Sequence, residues 1–344
     1  VARATACCAP FAWWSSADEG PTVTAARRAP RYTGVRTFAG LPHAPLGDPR
    51  GGRSGAPHDD TPRADAVVVG IPFDTATSWR PGARFGPEAI RSASVLLRPW
   101  HPLHAIDVFG SRTVIDGGDI AITPGNAARS AEQVAAALEP LCVAGTTPLV
   151  LGGDHSVLLG ELRAHTSVHG PLGLLLIDAH ADTWEDYYGE RLFHGTVIRR
   201  ACEEELLDPS RSMIAGLRGS LYEPADLDDA RALGLELIGI DELRASAPAD
   251  FAQRVRERLR AEPAFLGFDI DAVDPSAAPG TGTPEVGGLL AGETLALLRA
   301  LVGMRFVGYD VVEVSPPYDS LGQITALLAA NIAYEMLALG ALSR

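Results

Sequence analysis

Three separated segments of this chain concentrate carboxylates and imidazoles: Gly152-Gly153-Asp154-His155-Ser156, Asp178-Ala179-His180-Ala181-Asp182 and Asp269-Ile270-Asp271-Ala272-Val273-Asp274. Each follows a run of strand-like apolar residues. Side chains at i, i+2 and i+4 of an extended segment point to one side, so Asp178, His180 and Asp182 can converge while Ala179 and Ala181 leave room. Asp269 and Asp271 repeat that spacing. Like charges held together in a partly buried place are costly unless a cation compensates them. Oxygen and imidazole donors without thiolate suit an Mn²⁺-like divalent ion better than a soft metal. Taken singly, each segment has a plainer reading, such as Asp154, Ser156 or Asp178 capping a helix. Three in one chain point to a shared metal site. His43, His58, His101, His104, His165 and His169 lack acidic neighbours at ligand spacing and are expected not to be ligands.

Such a site needs elements that bring distant segments together. Strand-like runs occur at Val67–Ile71, Val114–Asp116, Pro148–Leu151, Leu174–Ile177, Met213–Leu217, Leu235–Ile240, Phe265–Phe268 and Phe306–Val312. Helical patterns alternate with them, at Ala128–Val143, Leu158–Thr166, Asp226–Leu233, Phe251–Ala261, Gly292–Val302 and Thr325–Leu339, and Gly86-Pro87 opens another. This alternation predicts an α/β fold of three layers, a mainly parallel sheet covered by helices on both faces. Ligands of such sheets collect beyond the carboxyl ends of the strands, where all three acidic segments fall. Residues 1–29 read as a disordered tail, residues 30–344 as one domain, and 44–64 as a Gly- and Pro-rich loop insertion.

The formal charge of −14 argues against nucleic acid as a partner. All 29 basic residues are Arg, a coding bias with no functional reading. Cys7, Cys8, Cys142 and Cys202 form no disulfide framework, which fits a reducing cytoplasm. The apolar stretch within Val1–Trp14 has a minimal basic region and no clean cleavage site, so secretion is not expected. No run reaches the ~18 apolar residues of a membrane span, so no membrane partner is expected.

The ordered set Gly-Gly-Asp-His-Ser, Asp-Ala-His-Ala-Asp and Asp-Ile-Asp-x-x-Asp-Pro resembles the ureohydrolase family of arginases, agmatinases and guanidino-acid hydrolases. Arg80-Pro81-Gly82-Ala83-Arg84-Phe85-Gly86-Pro87, Pro279-Gly280-Thr281-Gly282-Thr283-Pro284, and Val312-Glu313-Val314-Ser315-Pro316-Pro317 extend the likeness, and Pro30–Phe38 resembles an agmatinase-like entry segment. It covers roughly residues 30–340 and implies an arginase-like fold and a homo-oligomer, a trimer or hexamer.

The resemblance also implies roles. His155, Asp178, Asp182 and Asp269 would hold one Mn²⁺, and His180, Asp178, Asp269 and Asp271 a second, so that two Mn²⁺ share the bridging Asp178 and Asp269. Such a pair lowers the pKa of a shared water, which a guanidinium carbon, a poor electrophile, requires. Asp182 would accept that water's proton. His194, in Phe193-His194-Gly195-Thr196, occupies the position of the family's proton-shuttle histidine. Glu313 would pair with the substrate guanidinium. The products would be urea and an amine.

Trp184 stands where arginases carry an Asn that reads the amino-acid end, which disfavours arginine. Glu185, Asp186 and the neighbouring aromatic rings can receive a distal ammonium, which favours agmatine. The alternative substrate is a guanidino acid, 4-guanidinobutanoate or 3-guanidinopropanoate, whose carboxylate Arg191 or Arg218 would take. Trp79 before Arg80, and Val197-Ile198 after Thr196, depart from agmatinase-like wording. A non-catalytic oligomeric subunit would show itself by a lost ligand, yet every such position is filled. A deacetylase on the related metal-dependent fold would use a different ligand set and one catalytic metal.

Overall fold

The computed structural model of the chain describes residues 30–46 and 64–343. The expected tail, and residues 47–63 of the expected insertion, lie outside the described residues. A short N-terminal unit ends at Val35, and within it the Thr33 amide and hydroxyl donate to the Pro30 carbonyl at 3.0 and 2.7 Å. The rest forms one compact unit from Arg36 onward.

Its strands are β1 (Ala66–Gly70), β2 (Trp100–His101), β3 (Ile106–Asp107), β4 (Val114–Asp119), β5 (Thr147–Leu151), β6 (Gly173–Ile177), β7 (Met213–Leu217), β8 (Glu236–Gly239), β9 (Ala264–Asp269) and β10 (Phe306–Val312). Its helices are α1 (Gly86–Ser94), α2 (Ala127–Val143), α3 (Leu158–His169), α4 (Val197–Glu203), α5 (Ala225–Ala232), α6 (Ile240–Ala245), α7 (Pro248–Leu259), α8 (Ala291–Ala300) and α9 (Ile324–Leu342). Among the described residues eight strands pair in parallel in the order β4-β1-β5-β10-β9-β6-β7-β8. The expected three-layer α/β architecture is present.

Alternation along each strand divides the core. Val68, Leu149, Leu151, Leu175 and Ile177 face a layer that includes α1, α7, α8 and α9. Val67, Val69 and Val150, with Leu174 and Leu176, face the layer of α2, α3 and α4. Both faces are covered, so the inner strands are mostly apolar, as buried parallel strands tend to be, while the edge strands β4 and β8 carry Asp116, Asp119 and Glu236.

Local pattern did not foresee three features. β2 and β3 make a two-residue antiparallel pair too short to leave a periodic signature. Ile240, expected to end a strand, instead opens α6, with Asp241 and Glu242 in the first turn where the helix dipole favours negative charge. By length and composition α9 could cross a membrane. It is a core helix here, buried along most of its length against α1, α8 and β10. A helix apolar on nearly all sides must be enclosed somewhere. Its Glu335 is held by Arg299 at 2.7 Å and by His101 at 2.9 Å.

Candidate metal centre and active site

Four neighbouring strands, β5, β10, β9 and β6, end side by side and deliver Asp154-His155, Glu313, Asp269-Ile270-Asp271 and Asp178 respectively. Gly152 and Gly153 make the approach possible. A Cβ at Gly153 would lie 1.7 Å from the Phe73 carbonyl oxygen, and one at Gly152 would lie 2.6 Å from a methyl of Val312. No larger residue fits either place.

The expected ligands converge. His155 Nδ1 lies 2.8 Å from Asp182 Oδ2, 3.2 Å from Asp178 Oδ2 and 3.6 Å from Asp269 Oδ2. His180 Nδ1 lies 3.0 Å from Asp271 Oδ2 and 3.7 Å from Asp178 Oδ1. Donor atoms of His155, Asp178 and Asp269 lie within 4.8 Å of one another, as do those of Asp178, His180 and Asp271. Asp178 belongs to both groups.

The means of convergence is not the extended alternation expected. Asp178 Oδ1 accepts from the His180 amide at 2.7 Å and Asp269 Oδ1 from the Asp271 amide at 2.8 Å, so both segments turn immediately after their strands. Asp182 has φ +52° and Glu313 φ +62°, left-handed conformations that cost free energy for non-glycine residues. Turns bring the donors round one point, where a strand would have spread them along a line.

The electrostatics favour a cation. Burial, with the charges of Asp271 and Asp182, pushes Asp178 up to about 7. Burial and the neighbouring Asp271, Asp178 and Glu313 raise Asp269 well above the carboxylate range. Burial opposes the charged form of His180, yet Asp271 and Asp178 carry it up to about 10. Burial likewise opposes charge on His155, but Asp178 and Asp182 raise it well above the usual imidazole value. Without a cation the cluster therefore holds protons that its members would shed in water. Despite these short distances, His155 Nδ1 and Asp178 Oδ2 are buried and make no aligned hydrogen bond among the described residues. An oxygen and imidazole set of this kind fits hard or borderline divalent ions, and a cation there displaces the shared protons. Metal uptake should release about one to two protons per chain near neutral pH, and affinity should weaken as pH falls. Titration calorimetry in buffers of different ionisation enthalpy measures this, and uptake without proton release would contradict it.

Beside the cluster, the His194 and Glu313 side chains meet at 2.9 Å, Nδ1 to Oε1, and the His155 amide donates to the same oxygen at 2.8 Å. Glu313 Oε2 remains buried with no hydrogen-bond partner among the described residues. A cavity of about 460 Å³ opens over the site, lined by Ser78, His180, Asp182, Trp184, His194, Tyr222 and others. Trp184 stacks on Tyr187, whose ring stacks on Phe193. A Cβ at Gly195 would lie 2.9 Å from the Trp184 ring. Gly195→Ala should therefore shift the indole, raising KM several-fold with metal content unchanged. Tryptophan fluorescence and steady-state kinetics read both.

Other expected residues fall elsewhere. Glu185 and Asp186 are exposed and absent from the cavity lining, and Asp186 caps a turn by accepting from the Gly189 amide. Arg191 is exposed and pairs with Glu203 at 2.7 Å. Arg218 lines the cavity, but its guanidinium is spent on the carbonyls of Asp271, Ala272, Val273 and Glu285. It clamps the Asp271 turn and is not available to a carboxylate. Sequence spacing missed Thr283, whose hydroxyl donates to Asp271 Oδ2 at 3.2 Å, and Ser78, which holds His194. It also missed His101, His104 and Glu335 as a group of donors. There the Arg299 pair and the His104 amide, donating to His101 Nδ1 at 3.2 Å, already satisfy Glu335 and His101.

Sheet and site together define a metal-dependent α/β enzyme whose ligands come from the carboxyl ends of central parallel strands. The Arginase family profile matches residues 64–338, and the chain belongs to that family. It is 41% identical over 308 residues to guanidinobutyrase of Pseudomonas aeruginosa, covering 90% of this chain and 93% of that protein. It is 41% identical over 273 residues to mitochondrial agmatinase of Gallus gallus, covering 79% of this chain and 80% of that one. The structure of proclavaminate amidinohydrolase from Streptomyces clavuligerus superimposes with a TM-score of 0.84 at 40% identity, covering 92% of this chain and 100% of that chain.

Proposed function

We propose that this chain hydrolyses a linear guanidino compound to urea and an amine, using two Mn²⁺ ions. The observation that carries the reading is the convergence of His155 and His180 with Asp178, Asp182, Asp269 and Asp271, next to the His194–Glu313 pair. One ion would take His155, Asp178, Asp182 and Asp269, and the other His180, Asp178, Asp269 and Asp271. Bound there, the ions supply a water of lowered pKa and a Lewis acid beside the substrate.

The chain's own residues do the rest. Glu313 Oε2, which has no hydrogen-bond partner among the described residues, receives the substrate guanidinium and orients its carbon towards the cluster. Addition of water to that carbon gives a tetrahedral species, and Asp182 accepts the proton released. The bond from carbon to the alkyl-bearing nitrogen then breaks. His194 carries that proton to the leaving nitrogen and the hydroxyl proton of the collapsing species passes to Asp182, so urea and the neutral amine depart.

Agmatine is the substrate this geometry favours. Glu285 lies in the cavity wall together with Asp226, whose Oδ2 also accepts from the Tyr222 amide, while Arg191 and Arg218 are already engaged. Trp184 and Tyr222, in contact at 5.7 Å, offer aromatic faces for a cationic tail. A guanidino acid is the second reading, favoured by Arg231 in the same lining and by the name of the guanidinobutyrase relative. Comparing kcat/KM for agmatine, 4-guanidinobutanoate, 3-guanidinopropanoate and arginine decides between them. Agmatine is expected to lead, and a lead for a guanidino acid would overturn that choice while leaving the hydrolase intact. The family likeness further supports a homo-oligomer, which sedimentation velocity tests.

A further inference from the structure

His194 is enclosed from two directions. Its Nδ1 meets Glu313 Oε1 at 2.9 Å. Among the described residues, both polar partners of its Nε2 belong to Ser78: the backbone N–H donates at 3.0 Å, and the hydroxyl oxygen lies at 2.8 Å. Its backbone amide donates to the Ala76 carbonyl at 2.9 Å, and the buried ring meets Phe193 edge-on. Asp182 and Asp154 are the other charged groups acting on it, besides Glu313. Ser78 and His194 both line the cavity, so the Ser78 hydroxyl sits on Nε2 at the cavity wall.

The two Ser78 groups differ in what they can do for an imidazole. An amide N–H only donates, so it serves the neutral ring, fixing the proton on Nδ1 and the lone pair on Nε2. A hydroxyl can donate to that lone pair or accept from Nε2–H once the ring is protonated. With the amide alone, a protonated His194 would present Nε2–H to another donor in a buried place, which is costly. The Ser78 hydroxyl removes that conflict.

We propose that Ser78 is a positioning residue for His194: its hydroxyl accommodates both protonation states of the ring and fixes its orientation at the cavity wall. The inference rests on the hydrolase reading above, in which His194 moves a proton to the leaving nitrogen. The hydroxyl transfers no proton itself: it donates its hydrogen bond to Nε2 of the neutral ring and accepts one from Nε2–H of the protonated ring.

Ser78→Ala keeps the backbone N–H and removes only the hydroxyl, whereas Ser78→Thr keeps both. With metal content equal to wild type, the Ala variant should lose about 10²-fold in kcat with KM within about threefold. The Thr variant should recover to within about tenfold of wild type. An Ala variant within about twofold of wild-type kcat, or a Thr variant no better than Ala, overturns the proposal. The nitrogen-15 resonance of His194 Nε2 is the second readout, independent of turnover. It should move in the Ala variant and return in the Thr variant, and an unmoved resonance in Ala overturns the proposal equally. Wild-type protein that releases no urea from any guanidino compound would sink the hydrolase reading instead, and the resonance then judges Ser78 alone.

Discussion

Asp178→Ala will lose metal binding and urea release together, with turnover down at least about 10³-fold. The residue is fully buried, faces His155 through Oδ2 and His180 through Oδ1, and belongs to both groups of donors. Its removal takes a negative charge from each. It also removes the acceptor of the His180 amide, so the turn that aims His180 loosens at the same step. Asp269→Ala should behave alike, because Asp269 Oδ1 caps the turn that carries Asp271. Metal analysis after gel filtration, with urea measured on the same samples, checks both. Either variant with full activity would contradict the assignment of shared ligands. Circular dichroism separates this from unfolding, since β6 and β9 keep their apolar cores.

Glu313→Gln will keep its metal but lose about 10²- to 10³-fold in kcat/KM, equivalent to about 3–4 kcal/mol. The amide is nearly isosteric and preserves one acceptor for His194 and the His155 amide. What disappears is the charge on the buried atom opposite the substrate guanidinium. An amide offers a neutral oxygen or an N–H, and the N–H faces a cation that can only donate. Metal content equal to wild type beside a large loss in kcat/KM is the expected pattern. Unchanged kcat/KM would remove Glu313 from guanidinium recognition. The left-handed backbone at Glu313, φ +62°, fits this view: strain is tolerated where a side chain must be aimed.

Much of the architecture was legible because its signals are local. Val67–Ile71, Pro148–Leu151 and Leu174–Ile177 are mainly apolar runs of strand length, and each largely became a buried strand. The donors at 178, 180, 182, 269 and 271 were legible from spacing together with position at strand ends, and His155 from the resemblance carried by its Gly-Gly-Asp-His-Ser motif. Strand order was not. β10 comes last in sequence yet lies between β5 and β9, a placement fixed by pairing between residues far apart in the chain. Nor was the turn at Asp178, because an Asx turn and an extended segment share the same residues until hydrogen bonds choose. Glu185 and Asp186 show the limit of composition. Acids flanked by aromatics suggest a cation receptor, but the loop's path sends both to solvent and only Trp184 to the cavity. Ser78 gave no signal, since its role depends on an approach to His194 across 116 residues.

The central claim is that these carboxylates and histidines form a two-ion centre that turns guanidino compounds into urea. Its most direct test strips the protein with chelator and adds back Mn²⁺ stepwise, following urea release from agmatine and from 4-guanidinobutanoate. The account predicts no urea from the stripped protein and activity that rises to a plateau at two equivalents of Mn²⁺ per chain. Urea at an undiminished rate from stripped protein, or none from either substrate with both equivalents bound, would contradict it.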